Sequence, residues 1–294
     1  MQPSRRSFLF GRPAAARSEW GRFCQRLARI CQGRLEDAGG PEGEGVARLA
    51  AARPADVAHA RELCAEFGVT LALAGAAPPA PGRPVLWVDP AALNELAPVP
   101  DAPGLWQAQA GCTVGALCEA GLLQFASAPA DMTLAAWLAG PAAPACPPRR
   151  TAACGVLAAD VMLADGTRAR LGPFGERDVL PLRTLAMQRL VPKLFELAAR
   201  EPARRWLQAG RWPARARLDA LQPAQGTVYL SHLLVGHGGA LAWLESAVLL
   251  AAPAPAPVAM QHATPEERAA AAELDGRVKA LFDPAGRLPP LPAG

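Results

Sequence analysis

The chain has 294 residues, with 30 Lys and Arg against 26 Asp and Glu, for a formal charge of +4. Hydrophobic residues make up 51% and charged residues 19%, which excludes disorder over most of the length and supplies enough apolar material for a core. The positive charge is carried almost wholly by Arg, with Lys only at Lys193 and Lys279, and no basic run is long enough to argue for a nucleic-acid partner.

No apolar run approaches the ~20 residues of a membrane span. The seven cysteines (Cys24, Cys31, Cys64, Cys112, Cys118, Cys146 and Cys154) are odd in number and contain no CxxC. Zinc or iron–sulfur ligation and a disulfide framework therefore have no support, and buried free thiols in a reducing compartment are the reading.

At the N-terminus, Ser4-Arg5-Arg6-Ser7-Phe8-Leu9 matches the twin-arginine export signature, but Gly11–Arg17 offers no apolar h-region of about 7–15 residues. A cytoplasmic protein with an uncleaved N-terminus is expected. Ser18 is placed to cap an amphipathic helix through about Glu36, with Trp20, Phe23, Leu27 and Ile30 on one stripe and Arg22, Arg26 and Arg29 off it. Gly39–Gly45 reads as a flexible link.

From Val46 a β-α-β rhythm begins. Val46–Leu49 is a short strand, and Pro54 opens a helix to about Phe67 with Val57, Ala60, Leu63, Cys64 and Phe67 on one face. Gly68 stops that helix and Val69–Leu73 is the next strand. The loop Gly75–Gly82 precedes a strand Val85–Val88, a helical turn Pro90–Leu96, a strand Leu105–Ala110 and a helix from Thr113 to about Ala120. Val156–Leu171 then reads as two strands joined by Asp165-Gly166, the strongest short-range hairpin signal. Val156, Leu157, Val161 and Leu163 form its apolar first arm, while Thr167, Ala169 and Leu171 alternate with Arg168 and Arg170 in the second. A loop Pro173–Leu185, a helix from about Val191 to Ala209 interrupted by Pro202, a strand Trp243–Ala251, a proline-rich exit Pro253–Pro257 and a helix beginning near Thr264 complete the chain.

Several of these segments together resemble the FAD-linked oxidases, the PCMH-type flavin fold of glycolate oxidase and D-lactate dehydrogenase-like proteins. The resemblance is carried by Arg53-Pro54-Ala55-Asp56-Val57, Gly68-Val69-Thr70-Leu71, Val88–Asn94, Ala110–Leu117, Asp131–Trp137, the Val156–Leu171 hairpin, Leu233–Leu241 and Phe282–Leu288. It covers residues 46–257 and the last dozen. It implies an α+β protein with a PCMH-type FAD-binding fold of two α/β subdomains, roughly 46–110 and 111–257. An N-terminal segment 1–45 with the amphipathic helix precedes it, and 258–294 comes after it as the remnant of a cap region and a tail. The family's cap domain has room here for one helix only, so the C-terminal region reads as truncated. A capless chain leaves an apolar face open, and a homodimer or a partner oxidoreductase subunit is expected to cover it.

The cofactor the resemblance implies is FAD. The family's Arg-Gly-Gly-Gly-Thr loop, whose backbone holds the pyrophosphate, falls on Ala74-Gly75-Ala76-Ala77-Pro78, where methyl groups crowd the approach and Pro78 has no N–H. A second Gly-Gly turn falls on Ala135-Ala136, and the Ser-Glu of the last glycine turn on His237-Gly238. A flavin held in the family's manner would touch Gly75, Ala76, Ala77, Thr133, Leu134, Ala135, Gly155 and Val156. No catalytic base and no metal ligand is assigned. His59 reads as a surface or core histidine, His232 and His237 flank an apolar strand and turn, and His262 lies in the shrunken cap; His237 alone falls near the expected flavin edge. Tyr229 reads as strand packing. The expectation is an FAD-linked oxidase-like protein with degenerate flavin loops, weak or lost flavin binding, and a non-catalytic or accessory role. The alternative is an active FAD-dependent oxidoreductase of the 2-hydroxy-acid type, completed by a partner subunit.

Overall fold

The computed structural model describes residues 18–40, 44–76, 82–140, 146–175, 182–253 and 263–292. The twin-arginine motif, Ala77, Pro78 and His262 lie outside them. The Ser18 hydroxyl accepts the Gly21 N–H and starts α1 (Glu19–Ile30), which buries Phe23, Cys24 and Leu27. The helix stops short of the expected Glu36 for a tertiary reason. The buried Asp56 carboxylate takes the N–H groups of Gln32 and Gly33, at 3.0 and 2.9 Å, and pulls the chain into an extended path. Gly33 is needed there, since a Cβ on it would lie 2.1 Å from the Ala50 carbonyl oxygen. The chain continues as β1 (Arg34–Gly39), antiparallel to β2 (Val46–Ala50). Part of the N-terminal segment is thus the edge strand of the first sheet.

α2 (Pro54–Phe67) crosses over from β2 and ends, as its sequence predicts, on Gly68 in the left-handed conformation (φ 66°). β3 (Thr70–Leu73) and β4 (Val85–Asp89) come next. The sheet order is β1-β2-β4-β3, with β4 parallel to both β2 and β3. Where a helical turn is expected over Pro90–Leu96, the chain makes only a tight turn, with Leu93 N–H on the Pro90 carbonyl, and enters β5 (Leu96–Pro98).

The second half carries β6 (Leu105–Gln109), α3 (Val114–Glu119), α4 (Leu134–Ala139), β7 (Val156–Leu163), β8 (Arg168–Leu171), β9 (Pro173–Phe174), α5 (Leu185–Ala199), α6 (Ala203–Gln208), β10 (Val228–Tyr229), β11 (Ala242–Leu250) and α7 (Pro265–Phe282). Together with β5, four of its strands form an antiparallel sheet in the order β5-β6-β11-β7-β8. Ala108, Ala247, Ala159 and Leu171 lie side by side across this sheet with no exposed surface, and that face is core. On the other face Gln109, Ser246, Asp160 and Arg170 stand in register, with the Ser246 hydroxyl on Asp160 (3.1 Å) and Arg170 paired to Asp160 (3.1 Å). The β7–β8 turn is the predicted one: Gly166 sits at φ 90° and Asp165 accepts the Thr167 N–H. α5 starts ahead of the expected Val191 because the Thr184 hydroxyl caps it through Met187 N–H.

The halves meet at several points, among them the hairpin turn and the C-terminal segment. The Asp165-Gly166 turn packs on α2, where a Cβ on Gly166 would lie 2.3 Å from Arg61 Nη1. The C-terminal segment leaves α7 through Asp283, which accepts the N–H groups of Arg287 and Leu288, and the Arg287 carbonyl then receives Leu71 N–H (3.0 Å) from β3. No helix among the described residues is long and apolar enough to cross a membrane.

Candidate functional site

Three segments converge between the two sheets: the end of β3 at Ala74–Ala76, the first turn of α4, and the glycine turn Gly236–Gly239 ahead of β11. Gly75 has φ 84°, and a Cβ on it would lie 3.2 Å from the Ala136 methyl. A Cβ on Gly239 would meet the Cβ of Leu73 at 3.4 Å and that of Ala76 at 3.7 Å. Gly236 and Gly238 donate to the carbonyls of Leu138 and Ala139, both at 2.8 Å. The three segments therefore pack directly on one another, and Leu134, Ala135 and Ala136 are buried.

The first-turn N–H groups of α4, and those of Ala74 and Ala76, have partners in the chain. Thr133 caps α4 by accepting Ala136 N–H (3.2 Å), and Thr133 itself bridges Thr113, which caps α3 in the same way. This pairing of two helix starts brings Leu134 N–H onto the Cys112 carbonyl (2.7 Å) and Ala135 N–H onto the Ala110 carbonyl (2.9 Å). Ala74 N–H goes to Val88 (2.9 Å) and Ala76 N–H to Leu73 (3.1 Å). On its far side Gly75 borders a shallow groove of about 330 Å³ with Glu36, Arg48 and Trp87, where Arg48 is paired with Asp89.

Of the residues expected at a flavin, Gly75, Ala76, Thr133, Leu134 and Ala135 thus come together, while Ala77 lies outside the described residues. Gly155 and Val156 belong to a different set of contacts. A Cβ on Gly155 would lie 2.5 Å from both Gln124 Nε2 and the Leu250 carbonyl. That closeness lets the buried Gln124 amide clamp the end of β11, donating to Leu250 (2.9 Å) and accepting from Ala252 (3.1 Å). The Val156 carbonyl accepts from the Ser231 hydroxyl and His232 Nε2, each at 3.0 Å.

Both buried histidines are held neutral. With Nε2 donating to Val156, His232 Nδ1 accepts the Thr151 hydroxyl (2.8 Å), and burial pushes its pKa down to about 4. His237 accepts Leu241 N–H at Nδ1 (3.3 Å), and burial together with nearby Lys279 pushes its pKa down to about 3. Lys279 is itself fixed, with Nζ on the Ala240 carbonyl (2.8 Å), Asp283 (2.6 Å) and the Leu288 carbonyl (3.2 Å). The Lys279–Asp283 spacing is a plain helical i, i+4 pair, but nothing local marks it as buried.

One grouping escaped the sequence reading. Ligand-type atoms of Cys31, Asp56 and His59 lie within 4.8 Å of one another. The Asp56 carboxylate, however, already accepts Gln32, Gly33 and Ala52 N–H groups and Arg53 Nε. Four donors fill its lone-pair directions, so it clamps backbone rather than coordinating a cation.

No family model and no curated protein matches this chain. Solved structures do. A glucooligosaccharide oxidase from Acremonium strictum matches at 13% identity and TM-score 0.44, over 79% of this chain and 42% of that one. The BBE-like 1 protein of Physcomitrella patens matches at 13% identity and TM-score 0.44, over 78% and 44%. An alkyldihydroxyacetonephosphate synthase matches at 13% identity and TM-score 0.45, over 78% and 40%. The chain spans about two fifths of the length of these structures.

Proposed function

We propose that this protein is a non-catalytic relative of the FAD-linked oxidases, in which the segments that would hold a flavin pyrophosphate have become packing elements, and that it acts as an accessory subunit. One observation carries the reading. The first-turn N–H groups of Leu134, Ala135 and Ala136 are all bonded within the chain, and the Ala136 methyl closes on Gly75. A buried pyrophosphate requires free N–H donors and main chain without a Cβ at the point of approach. The residues present do not fit that group. Each lost hydrogen bond to a charged group costs about 1.5–3 kcal/mol, and two weaken binding by roughly two to four orders of magnitude. The two buried histidines, His232 through both ring nitrogens and His237 through Nδ1, are bonded inside the fold rather than directed at this cradle.

The accessory role rests on the segment C-terminal to β11. Among the described residues α7 is the one helix there, and it folds back so that Asp275 accepts the N–H groups of Arg215 and Ala216. The partner we infer is a second copy of this chain or a separate oxidoreductase subunit.

Titration of FAD into the purified protein, followed by flavin fluorescence, tests the reading. The protein is expected to be colourless and to leave the fluorescence of micromolar FAD unchanged, while Ala136→Gly recovers part of the affinity. Tight, stoichiometric binding by the unaltered protein overturns the proposal and makes the active oxidoreductase the better reading.

A further inference from the structure

We infer a second ligand site, independent of the flavin question: a cavity of about 520 Å³ that takes a small organic molecule through an oxyanion head group. Its volume lies within the ~300–1,000 Å³ typical of small-molecule sites. One wall is Arg149–Ala153 and the other runs from Ala220 to Thr227, with His232 between them. None of the described residues expected to contact flavin lines it.

The cavity is preformed because Arg149 bolts its walls together. Its N–H donates to Asp219 Oδ2 (2.9 Å), its Nε to the Gln222 carbonyl (2.7 Å), and its own carbonyl accepts Ala224 N–H (3.0 Å). It does this from the left-handed region at φ 64°, which costs a non-glycine residue roughly 1–2 kcal/mol and persists only where surrounding bonds enforce it. A preset cavity loses less ordering entropy on binding than one assembled by its ligand.

The charge on the lining is of one sign. Arg149 and Arg150 line the cavity and no carboxylate does. Asp219, behind the wall, is buried and already receives Arg217 through Nε and Nη2, both at 2.8 Å. His232 is neutral, and its partner Thr151 directs its hydroxyl proton to the imidazole. The Arg150 side chain has no hydrogen-bond or ion-pair partner among the described residues, so its fork is available. Guanidinium forks pair with carboxylate or phosphate in two parallel bonds, and the walls of Ala152, Ala153, Pro223 and Ala224 suit a compact apolar body.

Isothermal titration of the full chain with benzoate, phenyl phosphate and benzamide tests this, since the three share a body and differ in the head. At least one anion is expected to bind about tenfold or more tightly than neutral benzamide, and comparison of the two anions identifies the head group. Arg150→Gln should remove most of that preference while leaving the melting temperature unchanged, because the Arg150 side chain supports nothing else. Ala224→Trp, which fills the cavity from an exposed position, should abolish binding of all three. Equal binding of anions and benzamide, no binding at millimolar concentration, or full anion binding by Arg150→Gln would each overturn the inference. None of these results depends on whether FAD binds.

Discussion

Gly75 and Ala136 meet face to face: the methyl of Ala136 stands 3.2 Å from the point where Gly75 would carry a Cβ. This contact locks the end of β3 onto the first turn of α4, and so joins the first, mixed sheet to the antiparallel half. Gly75→Ala adds a methyl at a positive φ into that contact. The expected loss is roughly 1–2 kcal/mol from the backbone alone, read by chemical denaturation. A neutral substitution would show that the two segments are not packed as described.

Asp56 holds α1, β1 and α2 together through one carboxylate. Burial raises its pKa, but the N–H groups of Gln32, Ala52 and Gly33 and the Arg53 side chain outweigh that and hold it below the usual range. Asp56→Ala leaves three part-buried backbone donors without their acceptor, at about 1–3 kcal/mol each where water cannot replace it. The variant is expected to unfold at markedly lower urea concentration. A loss under about 1 kcal/mol would mean that solvent reaches the site.

Acid sensitivity follows from the two buried histidines. In the unfolded chain each takes a proton near pH 6.5; in the folded protein burial, and Lys279 beside His237, delay this to about 4 for His232 and about 3 for His237. The folded state binds fewer protons between those limits, so stability falls as pH drops below 6.5 and is unaffected by these groups above it. His232 alone withdraws about 3 kcal/mol by pH 4. Denaturation midpoints at pH 7.5, 6 and 5 should decline in that order, and His237→Gln should flatten the decline. A midpoint that rises on acidification would contradict the burial of both rings.

The thiols should be nearly inert. Burial pushes Cys24 and Cys154 up to about 12 and Cys31 and Cys146 up to about 11, and it raises Cys64 and Cys112 as well. Cys118 is the one cysteine that is not buried. A thiol reagent at pH 8 is expected to label one position in the native protein and all seven after denaturation. Fast labelling of several thiols would show that the core opens readily.

What the sequence determined by itself were the features that depend on a few adjacent residues. Gly68 ends α2, Asp165-Gly166 turns the hairpin, and Thr264 with Glu267 builds the capping box of α7, each by short-range hydrogen bonds that any fold would reuse. β1 was hidden because Arg34–Gly39 is an exposed edge strand without apolar alternation, created when Asp56 captures the backbone before it. That the cradle is poor in glycine is visible in the residues themselves, Ala74-Gly75-Ala76 and Ala135-Ala136. That the N–H groups of Leu134 and Ala135 are also taken, by carbonyls of Cys112 and Ala110, emerges only once α3 and α4 pair through Thr113 and Thr133. The cavity beside Arg149 was likewise unreadable, since the acceptors that fix that arginine lie on the distant 219–224 segment. Local hydrogen bonding is set by neighbours in sequence, whereas saturation and enclosure are set by neighbours in space.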